Sequence, residues 1–246
     1  MIDNYRLIID NPPPMLWRYR IMKVAMTICR LILMARIEVH GREHIPPSGP
    51  YIVVLNHTSA VDTPVLLLAF PLQKWRFFAV EKWRRHPIFG PLMGWLGAIY
   101  IARDEVDRHQ MRQALDAITQ GVAFGVAPEG TRSKTGQMNT AKDGAAYLAA
   151  RTGAPILPVG LENTDVLFAN FKRLKGTAVR VHIGPPFHLP PLEHRVRSQD
   201  LPAYTHYIMA HLAAQLPERY HGAYANSPAL VALQRCEDPW PYCHQA

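Results

Sequence analysis

The sequence predicts an α/β fold built on a buried, largely parallel sheet with helices on its faces. Two observations lead there. Short β-type runs alternate along the chain with helical stretches, the order that a parallel sheet with crossover helices requires. Several of those runs are apolar throughout rather than alternating, as expected of strands covered on both faces. The composition agrees: of 246 residues, 48% are hydrophobic and 19% charged, which excludes a wholly disordered chain and suits one large domain with a full core.

The first element is a helix over Met15 to Arg36, free of Gly and Pro and rich in Met, Leu, Trp, Ile and Val. On a helical projection Arg20, Lys23, Thr27 and Arg30 share one face. Trp17, Ile21, Val24, Ala25, Ile28, Leu31 and Ile32 form a broad opposite face, with Arg18 and Arg36 near the ends. A basic, Trp-bearing amphipathic helix of this kind suits the plane of an anionic membrane. The alternative is a helix that packs its apolar face on the domain.

Strand runs then follow at Arg36–His40, Tyr51–Leu55, Phe77–Val80, Ala98–Ala102, Val122–Ala127, Ile156–Leu161 and Ala178–Ile183. Helical segments lie near Thr63–Phe70, Asp107–Gly121, Ala141–Thr152 and Asp200–Leu216. From Tyr220 onward periodicity fades and prolines gather at 228, 239 and 241, which reads as loop on the surface or disorder. Three regions result: a membrane-facing helix over 1–35, one domain over 36–219 and a tail over 220–246.

The net charge of +8 calls for an anionic partner: nucleic acid, anionic lipid or a phosphate-bearing substrate. Three scattered cysteines, Cys29, Cys236 and Cys243, form no disulfide framework and fit a reducing compartment. Cys236, Cys243 and His244 match no zinc spacing, so no metal is expected there. Met1 to Pro14 does not read as a secretory signal, and no run is long and apolar enough to span a bilayer. Peripheral or monotopic attachment at the cytoplasmic face of the membrane is the expectation.

Two motifs stand where predicted strands end, the place at which sites form in such sheets. Directly after Tyr51–Leu55 comes Asn56-His57-Thr58-Ser59-Ala60-Val61-Asp62. Asp62 can accept a hydrogen bond from His57 Nδ1–H, fix the tautomer and leave Nε2 to take a proton from a hydroxyl. The plain alternative is Asp62 as the N-cap of a helix and His57 as a loop residue. After Val122–Ala127 comes Pro128-Glu129-Gly130-Thr131-Arg132-Ser133. There Gly130 permits close backbone approach, Thr131 offers a hydroxyl and Arg132 can hold a phosphate bidentately. Glu129 reads as orienting Arg132 or a substrate hydroxyl. Lys82 and Arg103, just past two further strands, could add positive charge at the same edge. Trp75, Trp83, Phe89, Met93, Trp95 and Leu96 interleave with basic residues and could line an acyl-chain groove or belong to ordinary core. No Gly-x-Ser-x-Gly elbow is present, which disfavours a serine hydrolase.

At these residues the chain resembles the glycerophospholipid acyltransferase family, most closely its bacterial 1-acylglycerol-3-phosphate acyltransferases. The likeness runs over roughly residues 36 to 185, with four blocks in the family's order. Asn56-His57-x4-Asp62 is similar to the block that holds the catalytic dyad. Lys82 with Gly97-x5-Arg103 is similar to the acceptor-binding block, Glu129-Gly130-Thr131-Arg132-Ser133 to the phosphate block, and Leu157-Pro158-Val159-Gly160 to a structural apolar strand. Lys142 falls where relatives carry a basic residue. An aromatic residue common inside the first block is absent from Thr58 to Val61.

The resemblance implies a mixed, mostly parallel sheet of seven strands and a catalytic pair in His57 and Asp62. It also implies an acceptor phosphate held by Arg132, Thr131, Gly130, Glu129, Lys82 and Arg103. The implied acceptor is a lysophospholipid, lysophosphatidate first; the donor is acyl-CoA or an acyl thioester on acyl carrier protein, with no metal or redox cofactor. Glycerol 3-phosphate, a lyso-aminolipid or a glycolipid are alternative acceptors. Backbone amides near the start of the Asp62 helix are the candidate oxyanion donors. A non-catalytic anionic-lipid or nucleic-acid binder is the rival class, but no recognition helix or RNA-binding signature supports nucleic acid.

Overall fold

A computed structural model of the chain describes residues 16–87, 89–102 and 107–245. Its centre is a seven-stranded sheet of β1 (Ala35–His40), β2 (Ile52–Leu55), β3 (Trp75–Val80), β4 (Ala98–Ile101), β5 (Ala123–Val126), β6 (Ile156–Glu162) and β7 (Thr177–Ile183). The order across the sheet is β1-β7-β6-β2-β5-β3-β4. All neighbours are parallel except β6 and β7, which pair antiparallel, so β1 and β7 run against the rest. All seven expected strands are present, within a residue or two at their ends. Strands β2, β5 and β6 are buried at every position, which accounts for their unbroken apolar character.

Alternation along β2 divides the core. Val53 and Leu55 point to one side, where α1 (Leu16–Ile32), α2 (Asp62–Ala69) and α3 (Phe89–Trp95) pack through Tyr19, Met22, Val65, Leu66 and Leu92. Ile52 and Val54 point to the other, against α4 (Arg108–Thr119), α5 (Gly144–Thr152) and α7 (Leu201–Ala213). A short α6 (Leu167–Lys172) links β6 to β7. Asp107 caps α4 through a capping box with Gln110, matching the start expected there.

Helix α1 is docked by its polar positions. Tyr19 Oη accepts from Trp75 N–H and donates to Leu96 O, each at 3.1 Å, and Lys23 donates to Phe70 O. Trp17, Ile21, Val24, Ile28, Leu31 and Ile32 are left exposed. Apolar side chains thus occupy both sides of the helix: Tyr19, Met22, Met26 and Leu33 pack inward beside Lys23 and Arg30, and the widest apolar face turns outward. Among the described residues no helix is long and apolar enough to cross a membrane.

The segment from Tyr220 differs from the expected surface loop. Ser227 caps α8 (Pro228–Gln234), whose Ala229, Leu230 and Ala232 are buried against α7. Trp240 stacks on Tyr204 with ring centroids 5.0 Å apart, and Cys243 is buried, its thiol pushed up to about 12 by desolvation and by nearby Asp238. Three prolines masked a helix signal that Ser227-Pro228 itself carries, a capping residue followed by proline in the first turn.

In the same packed region His211 stacks on Phe187 with ring centroids 4.0 Å apart, and its buried Nε2 has no hydrogen-bond partner among the described residues. Desolvation pulls its pKa from 6.5 down to about 4, against a smaller opposing pull from Asp238. The unfolded chain thus binds a proton that the folded one refuses. Stability is whole above pH 6.5 and falls as pH drops toward about 4, by a cost approaching about 3 kcal/mol. His211→Phe should keep the ring stack and remove this share of the acid loss, which urea unfolding at neutral and mildly acidic pH would measure. Equal acid losses in both proteins would rule it out.

Candidate active site

The site forms where β2 and its neighbours β5 and β6 end. Asn56, fully buried, continues the β2–β6 ladder with its side chain: Nδ2 donates to Leu161 O at 3.0 Å and Oδ1 accepts from Leu161 N–H at 2.7 Å. The next residue, His57, is thereby delivered to the rim of the sheet. The chain then wraps around one carboxylate oxygen. Asp62 Oδ2 accepts from Thr58 N–H, Ser59 N–H and His57 Nδ1, each at 2.8 Å. With two fixed amide donors on the same oxygen, Asp62 is the acceptor and His57 Nδ1 carries the proton. Asp62 is 0% exposed and the His57 side chain 28%, so the carboxylate lies behind the imidazole and Nε2 is the nitrogen left for a substrate. The spacing of five has a geometric reason: it is the reach of a tight loop from strand end to first helical turn. Asp62 is not the N-cap of α2, a place that Val61 takes.

The second motif clamps the first. Glu129 Oε1 accepts from His57 N–H at 2.9 Å, and Oε2 accepts from the backbone and side-chain amides of Asn139 at 2.8 and 3.0 Å. Ser133 N–H donates to His57 O at 2.8 Å. Both backbone polar groups of His57 are held by the loop after β5. Burial pushes the Glu129 carboxyl above its usual range, opposed by these bonds from Asn139 and His57. The structure therefore corrects the expectation that Glu129 helps hold the acceptor: it is 3% exposed, with its oxygens spent on Asn139 and His57. The Thr58 and Ser59 amides, committed to Asp62, are not the oxyanion donors.

A cavity of about 590 Å³, within the range of small-molecule sites, runs from this rim into the space between α1 and the sheet. His57, Gly130, Arg132 and Lys142 line its polar end; Met26, Leu67, Trp75, Phe77, Met93 and Leu96 are among its apolar walls. Of the interleaved aromatics, Trp75 and Trp83 line the cavity. Gly130 adopts φ 69°, a left-handed conformation that favours glycine, and a side chain there would press on Lys142 Cδ and Cε at 3.4 Å. Lys142, anchored by its own N–H to Pro128 O at 2.8 Å, thus lies across Gly130 and lines the cavity together with Arg132.

The remaining expected residues are placed less centrally. Thr131 is exposed on the loop outside the cavity lining. Lys82 sits in a 3-10 turn after β3, exposed, its Nζ 5.4 Å from the centre of the Trp83 ring, while Trp83 itself lines the cavity. Arg103 lies outside the described residues. Sequence reasoning assigned no role to Asn56, Ser133, Asn139 or Lys142. Of these Lys142 left the clearest trace, a basic residue just ahead of α5.

A histidine held by a buried carboxylate, sharing one end of an apolar cavity with two cations, is the arrangement that moving a group onto a hydroxyl calls for. Residues 36–162 match the acyltransferase family model, and the chain belongs to that family. It is 32% identical over 195 residues to bovine 1-acyl-sn-glycerol-3-phosphate acyltransferase alpha, covering 72% of this chain and 64% of that protein. It therefore spans just under two thirds of that relative's length. The Pseudomonas aeruginosa 1-acyl-sn-glycerol-3-phosphate acyltransferase is 29% identical over 196 residues, 75% of this chain and 68% of that one. The crystal structure of the Thermotoga maritima 1-acyl-sn-glycerophosphate acyltransferase PlsC superposes with a TM-score of 0.63 at 26% identity, covering 76% and 74% of the two chains.

Proposed function

We propose that this protein transfers a fatty acyl group from a thioester to the free hydroxyl of lysophosphatidate, yielding phosphatidate for phospholipid synthesis. The observation that carries this reading is the single cavity that joins His57 to Arg132 and to a long apolar interior. A phosphorylated alcohol fits the polar end and an acyl chain the apolar one. The relatives named above carry the same acceptor in their names, which supports lysophosphatidate over glycerol 3-phosphate, a lyso-aminolipid or a glycolipid.

In this mechanism the acceptor oxygen attacks the thioester carbonyl while His57 Nε2 takes its proton. Asp62, on the far side of the ring, stabilises the imidazolium. The tetrahedral intermediate then collapses, the carbon–sulfur bond breaks, and His57 returns the proton to the departing thiolate. Holding both substrates in one cavity can supply on the order of 7 kcal/mol of the barrier reduction. Arg132 and Lys142, which line the same cavity, hold the phosphate. Glu129 acts through His57, as a positioning residue. Acyl-CoA and acyl carrier protein both supply a suitable thioester, and neither a metal nor a redox group enters these steps.

The protein works at an anionic membrane surface on the cytoplasmic side, with the exposed ridge of α1 lying in the interface. That placement supplies a water-insoluble acceptor and satisfies six large apolar side chains left in solvent.

Thiol release from palmitoyl-CoA, and from palmitoyl acyl carrier protein, tests the reading with and without lysophosphatidate. Acceptor-dependent release is expected from at least one donor; release independent of every acceptor would end it. In the same assay Arg132→Ala should raise the acceptor KM by about tenfold to a hundredfold with a smaller change in kcat, the cost of losing a charge-assisted pair. An unchanged KM would remove Arg132 from the phosphate site.

A further inference from the structure

We propose that the turn closing α6, residues 172–176 with Leu174 at its tip, is a second membrane-insertion point that seats the cavity mouth on an anionic bilayer. The proposal rests on reading the protein as an enzyme of the membrane surface, and extends that reading to a part of the fold with no assigned role.

The turn is built in a way that folding in water does not explain. Lys175 N–H donates to Asn170 O and Leu174 N–H to Phe171 O, each at 2.9 Å, the paired bonds of a Schellman motif. Its left-handed position belongs by preference to glycine or asparagine, yet Leu174 occupies it at φ 53°. Leu174 is also 82% exposed, the most exposed of the large apolar side chains described. A backbone cost and a solvation cost thus fall on one residue that stands mostly in solvent. The end of α1 repeats the pattern: Met34, at φ 51°, is exposed at the equivalent place.

The two ends meet. Thr177 N–H donates to Met34 O at 3.1 Å, which ties the turn of α6 to the end of α1. Phe168 of α6 is exposed and lines the same cavity as Cys29 and Arg30 of α1. The exposed apolar residue that ends α1, Met34, is thereby joined to the turn that carries Leu174. Lys172, Arg173 and Lys175 bracket the tip, all exposed, with no acidic residue between Val166 and Thr177. An apolar tip in a ring of cations matches the layered chemistry of an anionic membrane, hydrocarbon beneath phosphate. The apolar character of the tip, and its tie to the exposed end of α1, favour this over an acidic protein surface.

The test is Leu174→Asn in the full chain. Asparagine suits the left-handed position, so the variant should melt at or above the wild-type temperature. Its partition onto vesicles of phosphatidylglycerol and phosphatidylcholine, measured by co-sedimentation, should weaken by about tenfold, the share expected of one inserted leucine. Turnover on a short-chain, water-soluble acceptor should be unchanged. Equal vesicle binding by both proteins would overturn the second insertion point while leaving attachment through α1 in place. Wild type that fails to bind vesicles at all would overturn both. Intact vesicle binding with activity lost only toward acyl carrier protein thioesters would reassign the turn to an acidic protein.

Discussion

His57→Ala should lower turnover by about 10²–10⁴-fold, the usual worth of a general base, while leaving the fold and the acceptor KM close to wild type. The side chain is partly exposed and its bond to Asp62 is peripheral to both cores, so its removal creates no large void. The scaffold of the loop also survives, because Asp62 keeps the Thr58 and Ser59 amides and Glu129 keeps the His57 amide, which alanine retains. The assay is thiol release under saturating acceptor, with thermal unfolding measured alongside. A folded variant that turns over at the wild-type rate would remove His57 from the chemistry.

Glu129→Ala makes the complementary case, with a large effect on stability as well as rate. Truncation leaves the His57 and Asn139 amides without their acceptor inside the protein, at about 1–3 kcal/mol for each group left unpaired. The loop after β5 then loses one of its two holds on His57, and only Ser133 N–H remains. Small displacements of a base are costly, so kcat should fall by about a hundredfold. Glu129→Gln, which keeps the shape, should recover part of the stability and part of kcat. A rise in acceptor KM with kcat untouched would instead mean that Glu129 meets the acceptor, contrary to its burial behind His57.

Strands β2, β5 and β6 were legible as apolar runs, the pattern that burial on both faces demands, and β7 as an alternation of buried and half-buried positions. The His57–Asp62 pair was legible through its combination with the Glu129–Ser133 motif and the family resemblance, because by itself the segment reads equally as a helix N-cap and a loop histidine. Elsewhere the signal was weaker or pointed away. α3 contains Gly90, Pro91 and Gly94, residues that propensity places in turns; packing of Leu92 and Met93 overrides it. α8 was hidden among prolines. The cations were harder still, since every lysine near a strand end reads alike. Only the third dimension separates Lys142, which crosses Gly130 into the cavity, from Lys82, which rests on Trp83 outside it. Glu129 misled for a related reason: a carboxylate close to an arginine in sequence suggests a pair, whereas its partners are the amides of His57 and Asn139.

Helix α1 has a consequence for how this protein can be handled. Met22, Ala25, Met26, Cys29, Arg30 and Leu33 form a wall of the cavity that ends at His57, and the opposite side of the same helix is the greasy ridge. Shortening the chain at its start to gain solubility would strip away the greasy ridge and unroof the cavity in one stroke. The sticky surface and the substrate chamber are two sides of one wall barely a helix thick, so behaviour in water cannot be improved here without opening the chamber to water.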